Sequence, residues 1–221
     1  MEAYLPDLPN NRPLVEHRLN SLRKRLLKDT ELFSRCSSFM LDLLNKGYTK
    51  RVPENRYRND SKVWYLPHHS VVYPQKPDKV RVVFDCAATY RGMSLNSRVL
   101  QCLDLTNKFV DVLTRFCKEP VALMADIETI YHQLKVSPDN VDALRFLRHP
   151  YCDSTREPEE YHMTFQLFGG VWSAICTNYG LQKTAKDNSN DFDPLVVRTL
   201  DRNFHVDDCL KLVETQETAI F

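Results

Sequence analysis

The chain has 221 residues with a formal net charge of +1, 43% hydrophobic and 27% charged, which is ordinary for a soluble globular protein with room for one large domain or two small ones sharing a core. No apolar run approaches the ~20 residues needed to span a bilayer, and MEAYLPDLPNNRP lacks the basic start and apolar stretch of a secretory signal. Seven cysteines, an odd number with no C-x-x-C pair, argue against a disulfide framework or a zinc site and for a reduced intracellular protein, cytoplasmic or nuclear.

The charge is unevenly spread. Residues 1–120 hold 21 Lys/Arg against 13 Asp/Glu, whereas residues 121–221 hold 9 against 16. Drift of surface charge explains such a split as readily as a basic phosphate-binding surface beside an acidic metal site. The motifs have to decide.

In chain order, Leu19, Leu22, Leu26 and Leu27 fall at helical spacing among Arg18, Arg23, Lys24, Arg25 and Lys28. A second helical pattern runs from Leu32 to Leu44, with Gly47 as its stop. Trp64 to Leu66 and Val71 to Tyr73 read as extended. A turn at 74–79 and the alternation of Val80, Val82 and Phe84 then predict a β-hairpin with a basic tip. Phe109, Val112, Leu113 and Phe116 predict a helix over 106–117.

From Pro120 the pattern becomes strand, helix, strand. Val121 to Ala125 is a short apolar run ending in Asp126, as in a buried strand. His132 to Val136 reads as extended, Ser137-Pro138-Asp139 as the cap of a short helix, and Leu144 to Leu147 as a strand. Residues 150–160 form a polar loop, 161–167 alternate like a strand, and 172–186 and 194–201 read as helices. Residues 204–213 have apolar residues on both sides of Asp207-Asp208, which predicts a hairpin with the carboxylates at its turn. The second half is therefore α+β, an antiparallel sheet backed by helices.

Two adjacent carboxylates at a turn between apolar strands cannot spread apart, and their charge at one rim of a sheet calls for a cation. Asp126 ends another apolar strand and reaches the same rim if the two strands are neighbours. Three carboxylates at one edge would hold two Mg2+ ions, typically ~3.5–4 Å apart, for phosphoryl transfer. The seven histidines show no metal spacing except adjacent His68-His69, which reads as ordinary strand and turn sequence.

MADIETIYHQLKV, then YHMTFQLFGG, then NFHVDDCLKLVE resembles the ordered motif set of reverse transcriptases. WYLPHHSVVYP, VRVVFDCAATYRGMSLN, LTRFCKEPVALMADIE, DALRFL and EPEEYHMT further resemble the Pao/BEL class of long-terminal-repeat retrotransposons, from about residue 4 to the end. The resemblance implies a fingers region over 1–119 and a palm over 120–221, with thumb, RNase H and integrase absent from these residues. It makes Asp126, Asp207 and Asp208 catalytic and metal-binding, with the Ile127 carbonyl as a further ligand for Mg2+ or Mn2+. Tyr131 matches the aromatic steric gate that favours dNTPs, Lys79 and Arg81 the fingers hairpin that closes on triphosphate, and Gln166, Phe168 and Gly169 the nucleotide and template pocket. The implied partners are an RNA or DNA template with primer, dNTP and the remainder of a polyprotein, with no membrane.

The sequence departs from that pattern in places. His205 stands where the family has the tyrosine of Y-x-D-D, Trp172 and Ala174 flank Ser173, and Cys102-Leu103 replaces a Gly-Pro pair. None removes a metal ligand. The alternative expectation is a truncated or domesticated remnant that keeps the fold and weak nucleic-acid binding without synthesis.

Overall fold

The computed structural model describes residues 8–53, 62–73, 75–100, 104, 106–117, 119–150, 153 and 155–220. Their contacts divide the chain into two compact units, residues 1–100 with 135–171, and residues 101–134 with 172–221. The units are not contiguous in sequence, because strand pairing draws residues 135–171 back to the first.

The first unit opens on helices α1 (Arg12–Leu26) and α2 (Thr30–Asn45). Asp29 caps α2 by accepting the Leu32 N–H at 2.9 Å, and Gly47, at φ +73°, turns the chain out of it. β1 (Thr49–Arg51) pairs antiparallel with β6 (Glu159–Met163), which pairs on its other side with β5 (Arg145–Arg148). β2 (His68–Tyr73) and β3 (Lys76–Phe84) form the expected hairpin, with Val71 opposite Arg81. A short helix, α3 (Leu95–Arg98), carries a capping box on Ser94 and Ser97.

The core of this unit gathers Val15, Trp64, Leu66, Phe146, Leu147, Met163 and Leu167, all buried. Phe146 touches Phe84 edge-on at 5.0 Å and stacks on Tyr161 at 5.7 Å. Two polar residues are built into it. The Asn11 side chain donates to the Tyr65 carbonyl at 2.7 Å and accepts the Tyr65 N–H at 2.9 Å, so it pins the 64–66 segment rather than capping α1. Arg145 is 0% exposed and pairs with Asp142 and Glu160, each at 2.8 Å. A buried guanidinium is tolerated only when paired in this way.

The second unit holds α4 (Phe109–Arg115), β4 (Val121–Asp126), α5 (Ser173–Asp187), α6 (Pro194–Arg202), β7 (Phe204–His205), β8 (Asp208–Val213) and α7 (Gln216–Ile220). Its sheet runs β4-β8-β7, antiparallel throughout.

Several elements differ from their expectation. The predicted helix at 106–117 forms only over Phe109–Arg115. His132 to Val136 is not a regular strand: Thr129, in the left-handed region at φ 51°, starts a 3-10 turn over Ile130–Gln133, and the chain extends only from Leu134, where Lys135 bridges Phe165 and the Val136 N–H donates to the Thr164 carbonyl at 2.9 Å. The helix expected after Ser137-Pro138-Asp139 is likewise 3-10, over Val141–Leu144. The strand expected over 161–167 ends at Met163. β4 is not a buried strand either. No residue of β4 is buried and Met124 is 75% exposed, whereas Cys209 and Val213 on β8 are buried: β4 is an edge strand of the sheet and β8 its central one.

Candidate metal centre

β4 and β8 pair in register from Val121 opposite Val213 to Asp126 opposite Asp208. Side chains at directly opposed positions share a face, so the ladder delivers Asp126 and Asp208 to one side of one sheet end. Asp207 comes from the two-residue turn between β7 and β8, where His205 pairs with Asp208. Val206, the first turn residue, takes φ 58°, a conformation that is strained for a β-branched side chain. The Ile127 N–H donates to the Asp207 carbonyl at 3.0 Å, which ties the turn to the end of β4.

The result is a triad. One carboxylate oxygen from each of Asp126, Asp207 and Asp208 lies within 4.8 Å of the others, with Asp126 and Asp208 exposed and Asp207 half-buried. An all-oxygen, anionic donor set suits hard divalent cations such as Mg2+ or Mn2+, so the residues present fit the group the sequence implies.

Two asparagines that sequence reasoning passed over brace this hairpin. Asn107 donates from its side chain to the carbonyls of Asp201 and Phe204, each at 3.0 Å. Its own carbonyl lies 3.0 Å from His205 Nδ1, so Nδ1 carries the proton if that contact is a hydrogen bond. The His205 ring also meets Phe109 at 5.2 Å. Asn203 exchanges two bonds with Leu210: its side chain donates to the Leu210 carbonyl and its carbonyl accepts the Leu210 N–H, both at 2.9 Å. The available signal was position, an asparagine just before α4 and another just after α6, where turn chemistry favours this residue.

Tyr131 sits half-buried in the 3-10 turn after β4. Burial, and then the negative charge of Asp207, pushes its hydroxyl above the usual tyrosine range.

The remaining candidates lie in the first unit. Arg81 is exposed on β3; Lys79 is in the same strand, and its side chain falls outside the described residues. Gln166 is buried, whereas Phe168 is 68% exposed. Gly169 adopts φ +99°, and a Cβ there would meet the Phe84 carbonyl oxygen at 3.3 Å, so only glycine fits without strain. Asn96 holds this loop, donating to the Gly169 carbonyl at 3.0 Å and accepting the Val171 N–H at 3.1 Å.

No family model and no curated protein matches the chain. Among solved structures it is similar to a foamy viral protease-reverse transcriptase in complex with double-stranded DNA, at TM-score 0.60 and 17% identity over 87% of this chain and 33% of that one. A dRH form with double-stranded DNA matches at TM-score 0.60 and 16% identity, over 86% and 27%. The complex with an RNA/DNA hybrid matches at 0.57 and 16%, over 82% and 20%. The chain has a reverse-transcriptase-like fold. It spans a fifth to a third of the length of those structures, and at such identity the likeness is one of fold. The reverse-transcriptase-like fold thus rests on architecture, and the carboxylate triad on this chain's own geometry.

Proposed function

We propose that this chain is the fingers-and-palm part of an RNA-directed DNA polymerase, from a retrotransposon polyprotein of Pao/BEL type. The observation that supports this reading most is the convergence of Asp126, Asp207 and Asp208 at one end of the β4–β8–β7 sheet. In this reading residues 1–119, with the β2–β3 hairpin, are the fingers, and residues 120–221, which carry the three carboxylates, are the palm.

Asp126, Asp207 and Asp208 would hold the divalent ions, with the Ile127 carbonyl as a further ligand. When bound, such ions lower the pKa of an attacking hydroxyl and neutralise charge on a leaving pyrophosphate. The protein's own part is placement. The register of β4 against β8 and the Ile127–Asp207 bond fix the three carboxylates without further rearrangement. Tyr131, whose hydroxyl feels the charge of Asp207, is the residue proposed to exclude a 2′-hydroxyl from the sugar site. Lys79 and Arg81 are proposed to neutralise triphosphate, where a guanidinium can hold two oxygens at once. Gln166, Phe168 and Gly169 are proposed to contact nucleotide and template, Phe168 through its open ring and Gly169 through its bare backbone.

The proposed reaction takes a template with primer and dNTP and yields extended DNA and pyrophosphate. In a longer protein that adds the thumb region, metal-dependent extension of oligo(dT) on poly(rA), abolished by Asp208→Asn, is the expected result, whereas residues 1–221 alone should extend primers barely or not at all, because nothing in them holds the primer end in line. Extension that survives Asp208→Asn would contradict the assignment. Metal binding without any extension by that longer protein would favour the non-catalytic remnant, for which the histidine at 205 is the specific observation.

A further inference from the structure

A groove of about 1050 Å³ lies between α5 and α6 of the second unit, and no residue named in the polymerase reading lines it. From α5 come Tyr179, Lys183 and Lys186, and from α6 come Leu195, Arg198 and Arg202. Both sets have the i, i+3 or i+4, i+7 spacing of one helical stripe. Each stripe therefore carries one apolar side chain and two cations, and all six residues are exposed. The lining also includes Ala185, which is buried, and Val197, which is half-buried.

The positive charge is gathered here rather than spread. Residues 172–221 hold five Lys/Arg against eight Asp/Glu, yet four of those five cations line this groove, with Asp201 the one acid among its lining residues. Lys183 is paired with Asp187, and Arg202 lies 3.6 Å from Asp201. Among the described residues Lys186 and Arg198 have no ion pair, so each helix presents one cation that nothing neutralises. Exposed cations alone make an ordinary solvated surface. Their alignment with the open side chains of Tyr179 and Leu195 sets this groove apart, since a docking surface combines apolar anchors with a polar rim.

We propose that the α5–α6 groove docks an acidic amphipathic helix of a partner protein. Carboxylates of that helix meet Lys186 and Arg198, and its apolar side chains lie against Tyr179, Leu195 and Val197. Charge complementarity selects the anion, because one uncompensated cation stands on each side. A helix about 10–12 Å across, at ~5.4 Å per turn, occupies roughly 500 Å³ per turn, so the space matches about two turns. Single-stranded nucleic acid fits less well. It needs a continuous cationic track and aromatic rings on which bases stack, whereas this lining has one ring, an acid and aliphatic side chains. The proposal stands independently of the polymerase reading.

The test is fluorescence anisotropy of residues 1–221 with a labelled (Glu-Leu-Leu-Glu)3 peptide, beside (Glu-Ser-Ser-Glu)3 and unlabelled oligo(dT) as competitor. The leucine peptide should bind saturably and the serine peptide about tenfold or more weakly, because a helix in a groove is held mainly by its apolar stripe. Lys186→Glu with Arg198→Glu should weaken the leucine peptide by about tenfold or more, since two attractions become two repulsions. The same charge change at exposed Lys24 and Lys28 of α1 should leave its binding unchanged. Oligo(dT) should not displace the peptide. No saturable binding of the leucine peptide, equal binding of the serine peptide, or an equal loss from the α1 reversals would overturn the proposal. Displacement by oligo(dT) would also overturn it, in favour of a nucleic-acid site. The two peptides and the competitor on the unaltered chain keep the test decisive even if a variant fails to fold.

Discussion

Asp126 and Asp208 are direct cross-strand partners in the β4–β8 ladder, with the Asp207 carboxylate within 4.8 Å of both. Like charges placed opposite each other across a sheet destabilise it by roughly 0.2–1 kcal/mol. Asp208→Asn should therefore raise the melting temperature of the chelator-treated protein slightly. It should also reduce the further rise that Mn2+ gives the unaltered chain. A variant that melts lower without metal would show that the pair is held by something other than mutual repulsion balanced by a cation.

Val206 is held at φ 58° at the tip of the same hairpin. Strain of this kind costs on the order of 1 kcal/mol or more for a β-branched residue, and glycine adopts the conformation freely. Val206→Gly is expected to stabilise the protein by about 1 kcal/mol, read from urea melts with an unchanged slope. Destabilisation would mean that the valine side chain contributes more by packing than its backbone loses.

Tyr131 is expected to set sugar selectivity. If its ring excludes a 2′-hydroxyl, Tyr131→Val in a longer, primer-extending form of the protein raises ribonucleotide incorporation relative to deoxyribonucleotide and leaves dNTP use largely intact. An unchanged ratio in single-nucleotide incorporation would return Tyr131 to a packing role beside the 3-10 turn.

His68 makes stability depend on pH. Its imidazole falls from 6.5 to about 4 in the folded chain, through burial, His69 and Arg148, while Arg23 and His149 line a small cavity with it. The unfolded chain binds more protons between these values, so stability rises with pH across the window. The contribution is complete above pH 6.5 and is lost as pH falls towards 4. It amounts to on the order of 3 kcal/mol. His68→Phe, which keeps a ring beside Phe84 and Phe146, should flatten the stability curve between pH 4 and 6.5. An unaltered slope would place the acid sensitivity elsewhere.

The α+β character, the hairpins at 68–84 and 204–213 and the three aspartates were legible because period-two alternation and adjacent acids at a strand turn are local signals. What escaped was long-range. The pairing of Thr49 with Met163 sends residues 135–171 back into the first unit, and no local pattern announces that. Arg145 is a charged residue inside the strand expected over 144–147, yet Asp142 and Glu160 allow it to be buried. Asn107 and Asn203 act through bonds to backbone carbonyls, which leave no periodic trace. The turn at Ile130–Gln133 begins at a left-handed threonine, where no glycine marks the break.

The most direct test of the central claim is Mn2+ titration of residues 1–221 by calorimetry, with Mg2+ competition, for the unaltered chain and Asp207→Asn. The carboxylate centre predicts saturable binding that Mg2+ displaces and that Asp207→Asn weakens by about tenfold or more, a loss that removal of even outer-shell partners can reach. Equal Mn2+ binding by both proteins, or none by either, would contradict it.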